Sequence, residues 1–337
     1  MTKCAELANL IGNINAGGGG ANKNVIINGA MNVSARGTSS TGIGASSGYF
    51  TVDRFSIYSS GTAGRLTMTQ DSSAPSGFAN SIKLDCTTAD TSIASGEYLI
   101  LTQRIEGQNL QSFAKGTSDA KPFAVSFYVK GNASATYVAE LMDNDNSRQV
   151  GKTFTVGTDW TRVELSFPAD TTGAFDDDAN ASLDLSIWLH AGSTFTSGTL
   201  QTSWGSFDNS KRVGSGTSSF FSSTDNTFFI TGVQLEVGQN ATEFEHEPIT
   251  VTENKCFRYF EQFQGTNTHG GLYTTDVYIG HLFYKVRKRT QPTLTGVSGN
   301  YSSLQNSSSG TLGNEDIMFF ISGASGYVTQ IKIDAEL

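Results

Sequence analysis

Phe123-Ala124-Val125-Ser126-Phe127-Tyr128-Val129 is the stretch that decides the fold. Phe123, Val125, Phe127 and Val129 recur at every second residue, the period of a half-buried strand rather than of a helix. The alternation returns in Val163, Leu165 and Phe167 against Arg162, Glu164 and Ser166. It returns again in Leu183, Leu185, Ile187 and Leu189 against Asp184, Ser186, Trp188 and His190, and in Phe229, Thr231, Val233, Leu235 and Val237. Turn-rich stretches, such as 38–48 and 142–147, separate these runs. From Asn24 onward the period-two pattern dominates, and many short strands without intervening helices predict an all-β jelly-roll sandwich.

Composition agrees. The 337 residues include 40 Ser, 39 Thr and 37 Gly, with only 16% charged, so a mostly helical protein is excluded. The net charge of -9 comes without an offsetting block of Lys and Arg, which argues against a nucleic-acid surface and against binding to anionic membranes. An aromatic content of 11% supplies enough to bury, so disorder is not implied. Cys4, Cys86 and Cys256 are odd in number and widely spaced, which fits neither a disulfide framework nor a zinc site. No stretch has the apolar length of a membrane span or the core of a signal peptide, so assembly in a cytoplasm is expected.

Three regions follow from the pattern. Residues 1–22 are expected to form a helical anchor, with Leu7, Ile11 and Ile14 on one stripe beside Cys4, ending in the hinge Gly17-Gly18-Gly19-Gly20. Residues 23–250 form the jelly-roll. Residues 251–337 are expected to be a smaller β domain at a subunit interface, with Phe257, Tyr259, Phe260 and Phe263 as the candidate contact residues. The basic run from Lys285 to Arg289 would pair there with acidic surface of a neighbouring subunit.

Catalytic patterns fail on context. Gly44-Ala45-Ser46-Ser47-Gly48 matches a nucleophile elbow, but a strand-like run follows where a helix is needed. Gly151-Lys152-Thr153 has no first glycine at Asn146 and no helix after it. The expectation is a protein that is not an enzyme and has no cofactor. Structural calcium is the exception left open, at the oxygen-rich loops Asp143-Asn144-Asp145-Asn146 and Asp176-Asp177-Asp178. Tyr128, Trp188 and Trp204 fall at outward or loop positions. They are the candidate glycan contacts, since sugar rings stack their C–H faces on exposed aromatics; the same residue types also complete interfaces.

The run from Asn24 to Asn32, with Arg36-Gly37 and Tyr49-Phe50-Thr51-Val52-Asp53-Arg54-Phe55, resembles the opening of a group of bacteriophage virion proteins. These are fibre-like and surface proteins whose main domain is similar to carbohydrate-binding-module jelly-rolls. The resemblance continues through Gln103-Arg104-Ile105-Glu106-Gly107, residues 229–238, residues 241–246, Cys256-Phe257-Arg258-Tyr259-Phe260 and the closing Asp334-Ala335-Glu336-Leu337. It implies a homotrimeric virion protein on the tail or capsid surface, assembled in the host bacterial cytoplasm and joined to other virion proteins through its N-terminus. A tail fibre or tail-associated adhesin contacting host surface glycans is the leading expectation. A capsid decoration protein or head fibre without receptor binding is the alternative. A glycan-cleaving depolymerase would call for a repetitive β-helix, and the chain has no internal repeat.

Overall fold

Alternating side chains build two antiparallel sheets whose inner faces meet. The computed structural model describes residues 23–264, 271–274, 277–300, 303–306, 316–322 and 327–337. Leu7, Ile11 and Ile14 lie outside the described residues. The chain divides after His246 into two compact units, a few residues before the expected boundary.

In the first unit, one sheet has six strands. Their spatial order is Ser39–Ile43 (β1), Arg65–Asp71 (β4), Ser81–Thr88 (β5), Thr227–Val237 (β13), Phe123–Gly131 (β7) and Thr161–Phe167 (β10). The other has seven, in the order Gly205–Ser206 (β12), Arg148–Val156 (β9), Ala135–Asp143 (β8), Ala181–Ala191 (β11), Tyr98–Glu106 (β6), Ser56–Ser60 (β3) and Gly48–Tyr49 (β2). Successive strands repeatedly change sheet, so this is the all-β jelly-roll sandwich that the alternation predicts. Phe123, Val125, Phe127 and Val129 are fully buried between the sheets, with Leu183, Leu185, Ile187 and Leu189 in the same core.

Two local expectations need correction. The segment 24–38 forms no strand, and β1 begins only at Ser39. Asn28 and Met31 have φ of 62° and 60°, which breaks an extended run. Side chains satisfy the backbone instead: Gln103 accepts from Ile27 N at 2.7 Å and donates to Ile27 O at 2.9 Å. In β13 the alternation slips. Phe228 and Ile230, not Phe229, enter the core, and Val233 and Leu235 follow after a register shift between Thr231 and Gln234. The slip is a bulge at Gly232, with φ of 62°. It leaves Phe229 on the outer face, edge-on to Trp160 at 6.0 Å.

The second unit opens with the helix Ile249–Phe257, where the sequence suggested only strands. It carries a three-stranded sheet, in the order Phe260–Gln264 (β14), Tyr327–Asp334 (β20), Thr293–Asn300 (β17). A four-stranded sheet runs Gly271–Thr274 (β15), Val277–Phe283 (β16), Asp316–Ser322 (β19), Ser303–Asn306 (β18). Its core gathers Tyr284, Ile317, Ile331 and Ile333, with Phe263 packed against them.

The expected interface residues are largely used inside this unit. Tyr259 and Phe260 are 1% and 2% exposed, which leaves little ring surface for a neighbouring subunit, while Phe257 and Phe263 are half-buried. Lys285 Nζ lies 4.1 Å from the centre of the Phe257 ring. Within the basic run Lys288 is turned inward: it is buried, donates to Glu261 at 2.8 Å and also bonds the Phe257 carbonyl, while Lys285 and Arg287 are exposed. Burial holds the Lys288 pKa below the usual lysine range, against the pull of Glu261.

A Cβ at Gly232 would sit 2.7 Å from Phe78 and 2.9 Å from Tyr128, in a left-handed backbone. Gly232→Ala is therefore expected to lower unfolding free energy by at least about 1–2 kcal/mol, the cost of the conformation alone. Chemical denaturation measures it, and an unchanged midpoint would contradict the bulge's role.

Candidate functional site

The outer face of the seven-stranded sheet is a ladder set by register. Trp188 on β11 stands between Ile100 on β6 and Val138 on β8, and Tyr58 on β3 faces Ile100. One step along, Ser186 lies between Thr102 and Glu140; the next step sets Asp184 between Arg104 and Met142. Segment 192–213 folds back over one side of this face. It brings Phe195, Leu200 and Val213 into a small cluster with Trp188, Ile100 and Val138.

The result is a cavity of about 380 Å³, at the lower end of the ~300–1,000 Å³ of small-ligand sites. Tyr58, Tyr98, Trp188 and Phe195 provide its aromatic wall; Arg104, Asp184, Asn144, Asn209 and Arg212 provide most of its polar groups. The Glu140 carboxylate fixes two of these residues. It accepts from Trp188 Nε1 at 2.8 Å and from Arg212 Nε and Nη2 at 2.9 and 2.7 Å. The Arg212 guanidinium in turn stacks 4.6 Å from the Trp188 ring centre.

Polar groups at the far end are held more loosely. Arg104 lies 4.9 Å from the Tyr58 ring centre and 3.7 Å from Asp184 Oδ2, and its Nε makes no hydrogen bond. Asn144 Nδ2 donates to Asp184 Oδ1 at 2.9 Å. Burial raises the Asp184 pKa above the ordinary carboxylate value, with Arg104 and Asn144 opposing. Burial likewise raises the Tyr58 phenol, so it stays protonated and can donate at neutral pH. Flat rings beside unspent donors and acceptors are the parts that grip a polyhydroxylated ring.

The three aromatic candidates do not share this site. Trp188 lines the cavity yet is only 2% exposed, because Phe195 and Arg212 cover it. Tyr128 is half-buried on the six-stranded sheet, tilted against Phe78 at 5.3 Å. Trp204 packs on Phe123 at 5.5 Å and donates from Nε1 to Pro168 O at 2.8 Å. Sequence reasoning missed Tyr58, Tyr98, Arg104, Glu140 and Arg212. Glu140, a lone acid inside the apolar run of β8, was the visible signal.

The first acidic loop meets a cation of the chain itself. Buried Lys115 Nζ lies 2.5 Å from Asp143 Oδ2 and 3.2 Å from Asp170 Oδ2, and donates to Thr172 O and Gly173 O at 2.9 and 2.7 Å. At the second loop, Asp176 N donates to Asp145 Oδ2 at 2.9 Å. The elbow-like Ser46 is an exposed residue between two strands, and Gly151-Lys152-Thr153 lies within β9.

No protein-family model matches the chain, and no curated protein does. Solved structures with similar chains include the enzymatically active domain of tailspike protein 4 from bacteriophage CBA120. It has 13% identity, a TM-score of 0.33, and coverage of 64% of this chain and 21% of that one. The match thus spans about a fifth of that tailspike domain. A CBM4 module has 13% identity and a TM-score of 0.32, with 62% and 97% covered. TmCBM61 in complex with β-1,4-galactotriose has 9% identity and a TM-score of 0.31, with 64% and 98% covered.

Burial pushes the Asp170 pKa up, but Arg148 at 2.7 and 3.0 Å, the Thr172 N–H and Lys115 outweigh it and hold it below the ordinary value. A depressed carboxylate stabilises the fold above its unfolded pKa of about 3.9, and that contribution is lost as pH falls through the lower native value. Asp170→Asn should therefore flatten the acid limb of the stability–pH curve. An acid limb as steep as that of the wild type would contradict the pairing.

Proposed function

We propose that this protein is a non-catalytic glycan-binding sandwich displayed on a bacteriophage particle, with the cavity on the seven-stranded sheet as its sugar site. The observation that carries the reading is the cavity itself: the half-buried rings of Tyr58 and Tyr98, backed by buried Trp188 and Phe195, line it together with the polar groups of Arg104, Asp184 and Asn144. Rings of this kind stack on the C–H face of a pyranose while the polar groups exchange hydrogen bonds with its hydroxyls. Trp188 and Arg212 are clamped by Glu140 before any ligand arrives, which lowers the entropic cost of binding.

The phage setting rests on the sequence resemblance, which spans nearly everything after residue 23. Under this reading the protein is a homotrimeric tail fibre or tail-associated adhesin, held to the particle through residues 1–22. Mass measurement of the full chain in solution tests the trimer, and a monomer at micromolar concentration would overturn it.

Binding is tested by titrating the full chain against an array of bacterial surface oligosaccharides. Saturable binding is expected, and Tyr58→Ala or Tyr98→Ala should each weaken it about tenfold, equivalent to ~1.4 kcal/mol. Tyr128→Ala, on the other sheet, should leave it unchanged. Absence of binding across the array, or binding indifferent to both cavity tyrosines, would overturn the assignment. Release of new reducing ends by the purified protein would overturn its non-catalytic part.

A further inference from the structure

Beside the sugar cavity, and separate from it, three side chains from different parts of the chain meet at the end of the seven-stranded sheet. Asp90 lies in the connection between β5 and β6, Glu97 immediately precedes β6, and His190 is near the end of β11. All are buried, at 5%, 6% and 1% exposure, and they bring one ligand atom each to within 4.8 Å of one another. Among the described residues, no lysine or arginine forms an ion pair with either carboxylate; His190 is the only basic group facing them. Two carboxylates withdrawn from water without a cation are costly, and buried charges are ordinarily paired or coordinate a metal.

Two of the facing atoms are unspent. Glu97 Oε2 and His190 Nε2 make no hydrogen bond, and they stand 3.5 Å apart. That exceeds the 2.7–3.2 Å typical of an N–H···O bond. It is close to the roughly 3.3–3.4 Å edge of a tetrahedron built on metal–ligand bonds of about 2.0–2.1 Å.

The surrounding bonds hold two of the three groups, His190 and Asp90. His190 Nδ1 is bonded to Ser219 Oγ at 2.7 Å, which fixes the ring and turns Nε2 toward the carboxylates. Asp90 Oδ2 accepts from Thr62 Oγ1 at 2.8 Å and from Ala63 N at 2.7 Å, and Oδ1 from Ser92 N at 3.3 Å. A histidine whose other ring nitrogen is tied down, beside a carboxylate fixed by hydrogen bonds, is the arrangement that supports metal ligation.

We propose that Asp90, Glu97 and His190 bind a divalent transition-metal ion of the zinc class. The imidazole nitrogen and two carboxylate oxygens suit zinc, cobalt or manganese, whereas calcium prefers oxygen ligands alone. Three protein ligands leave a fourth position for water. The ion would neutralise the two acids and tie the 89–97 connection to the ends of β6 and β11. These strands carry Tyr98 and Trp188, so the metal would brace the root of the sugar cavity without entering it.

The full chain, stripped with a chelator, is titrated with cobalt(II) and followed by its visible absorption, then challenged with zinc. One equivalent of cobalt should give a low-symmetry cobalt band that zinc abolishes, and zinc should raise the thermal midpoint. His190→Gln and Glu97→Gln should each abolish the one-equivalent band. Ser219→Ala, outside the ligand set, should keep the band and weaken affinity by about 10–100-fold. Near-UV circular dichroism confirms that each variant is folded. If a ligand variant does not fold, the Ser219→Ala shift decides. Absence of a saturable band in the wild type would overturn the site, and so would affinity unaffected in the folded variants. Because no sugar is present, this result is independent of the glycan assignment.

Discussion

The carboxylate of Glu140 is the interaction on which the first unit's outer face depends. It is 1% exposed in the middle of a strand whose other face is core, so it must be fully compensated. A bidentate arginine and an indole N–H meet that demand together. Arg212 arrives on the segment that folds back over the sheet, so the acid anchors that segment as well as Trp188. The cavity is the space this clamp leaves between the returning segment and the bare end of the ladder at Arg104 and Asp184.

Much of the sandwich was legible because strand alternation is local. Phe123 to Val129 and Leu183 to Leu189 enter the core as their spacing requires. Alternation fails where a single residue resets it, and the Gly232 bulge shows why: the run Phe229 to Val237 carries no mark of the slip beyond one glycine. The site was much less legible. Tyr58, Arg104, Glu140 and Arg212 are far apart in the chain and meet only through sheet order. Exposure of an aromatic could not be read from its strand face either, since Trp188 faces outward and is nevertheless covered.

Several segments that carry the resemblance hold the fold, although Arg104 among them lines the cavity. Asn24 Oδ1 accepts from Leu235 N at 3.0 Å, and Glu236 accepts from Thr242 N at 2.7 Å and from Gln234 at 2.8 Å. Arg36 pairs with Asp53 at 3.2 Å, and Arg54 is fully buried. Asn24 thus ties the start of the unit to its last strand. Two lysines are internal counterions: Lys115 neutralises Asp143 and Asp170, and Lys288 neutralises Glu261. Neither is part of a basic surface. Among the described residues no helix is long and apolar enough to cross a membrane.

The most direct test of the central claim is a crystal structure of the full chain soaked with an oligosaccharide that it binds. The expected result is sugar density in the cavity, with one ring against Tyr58 or Tyr98 and hydroxyls within hydrogen-bond reach of Arg104 and Asp184. Well-defined sugar at any other surface, with the cavity holding only water, would contradict it.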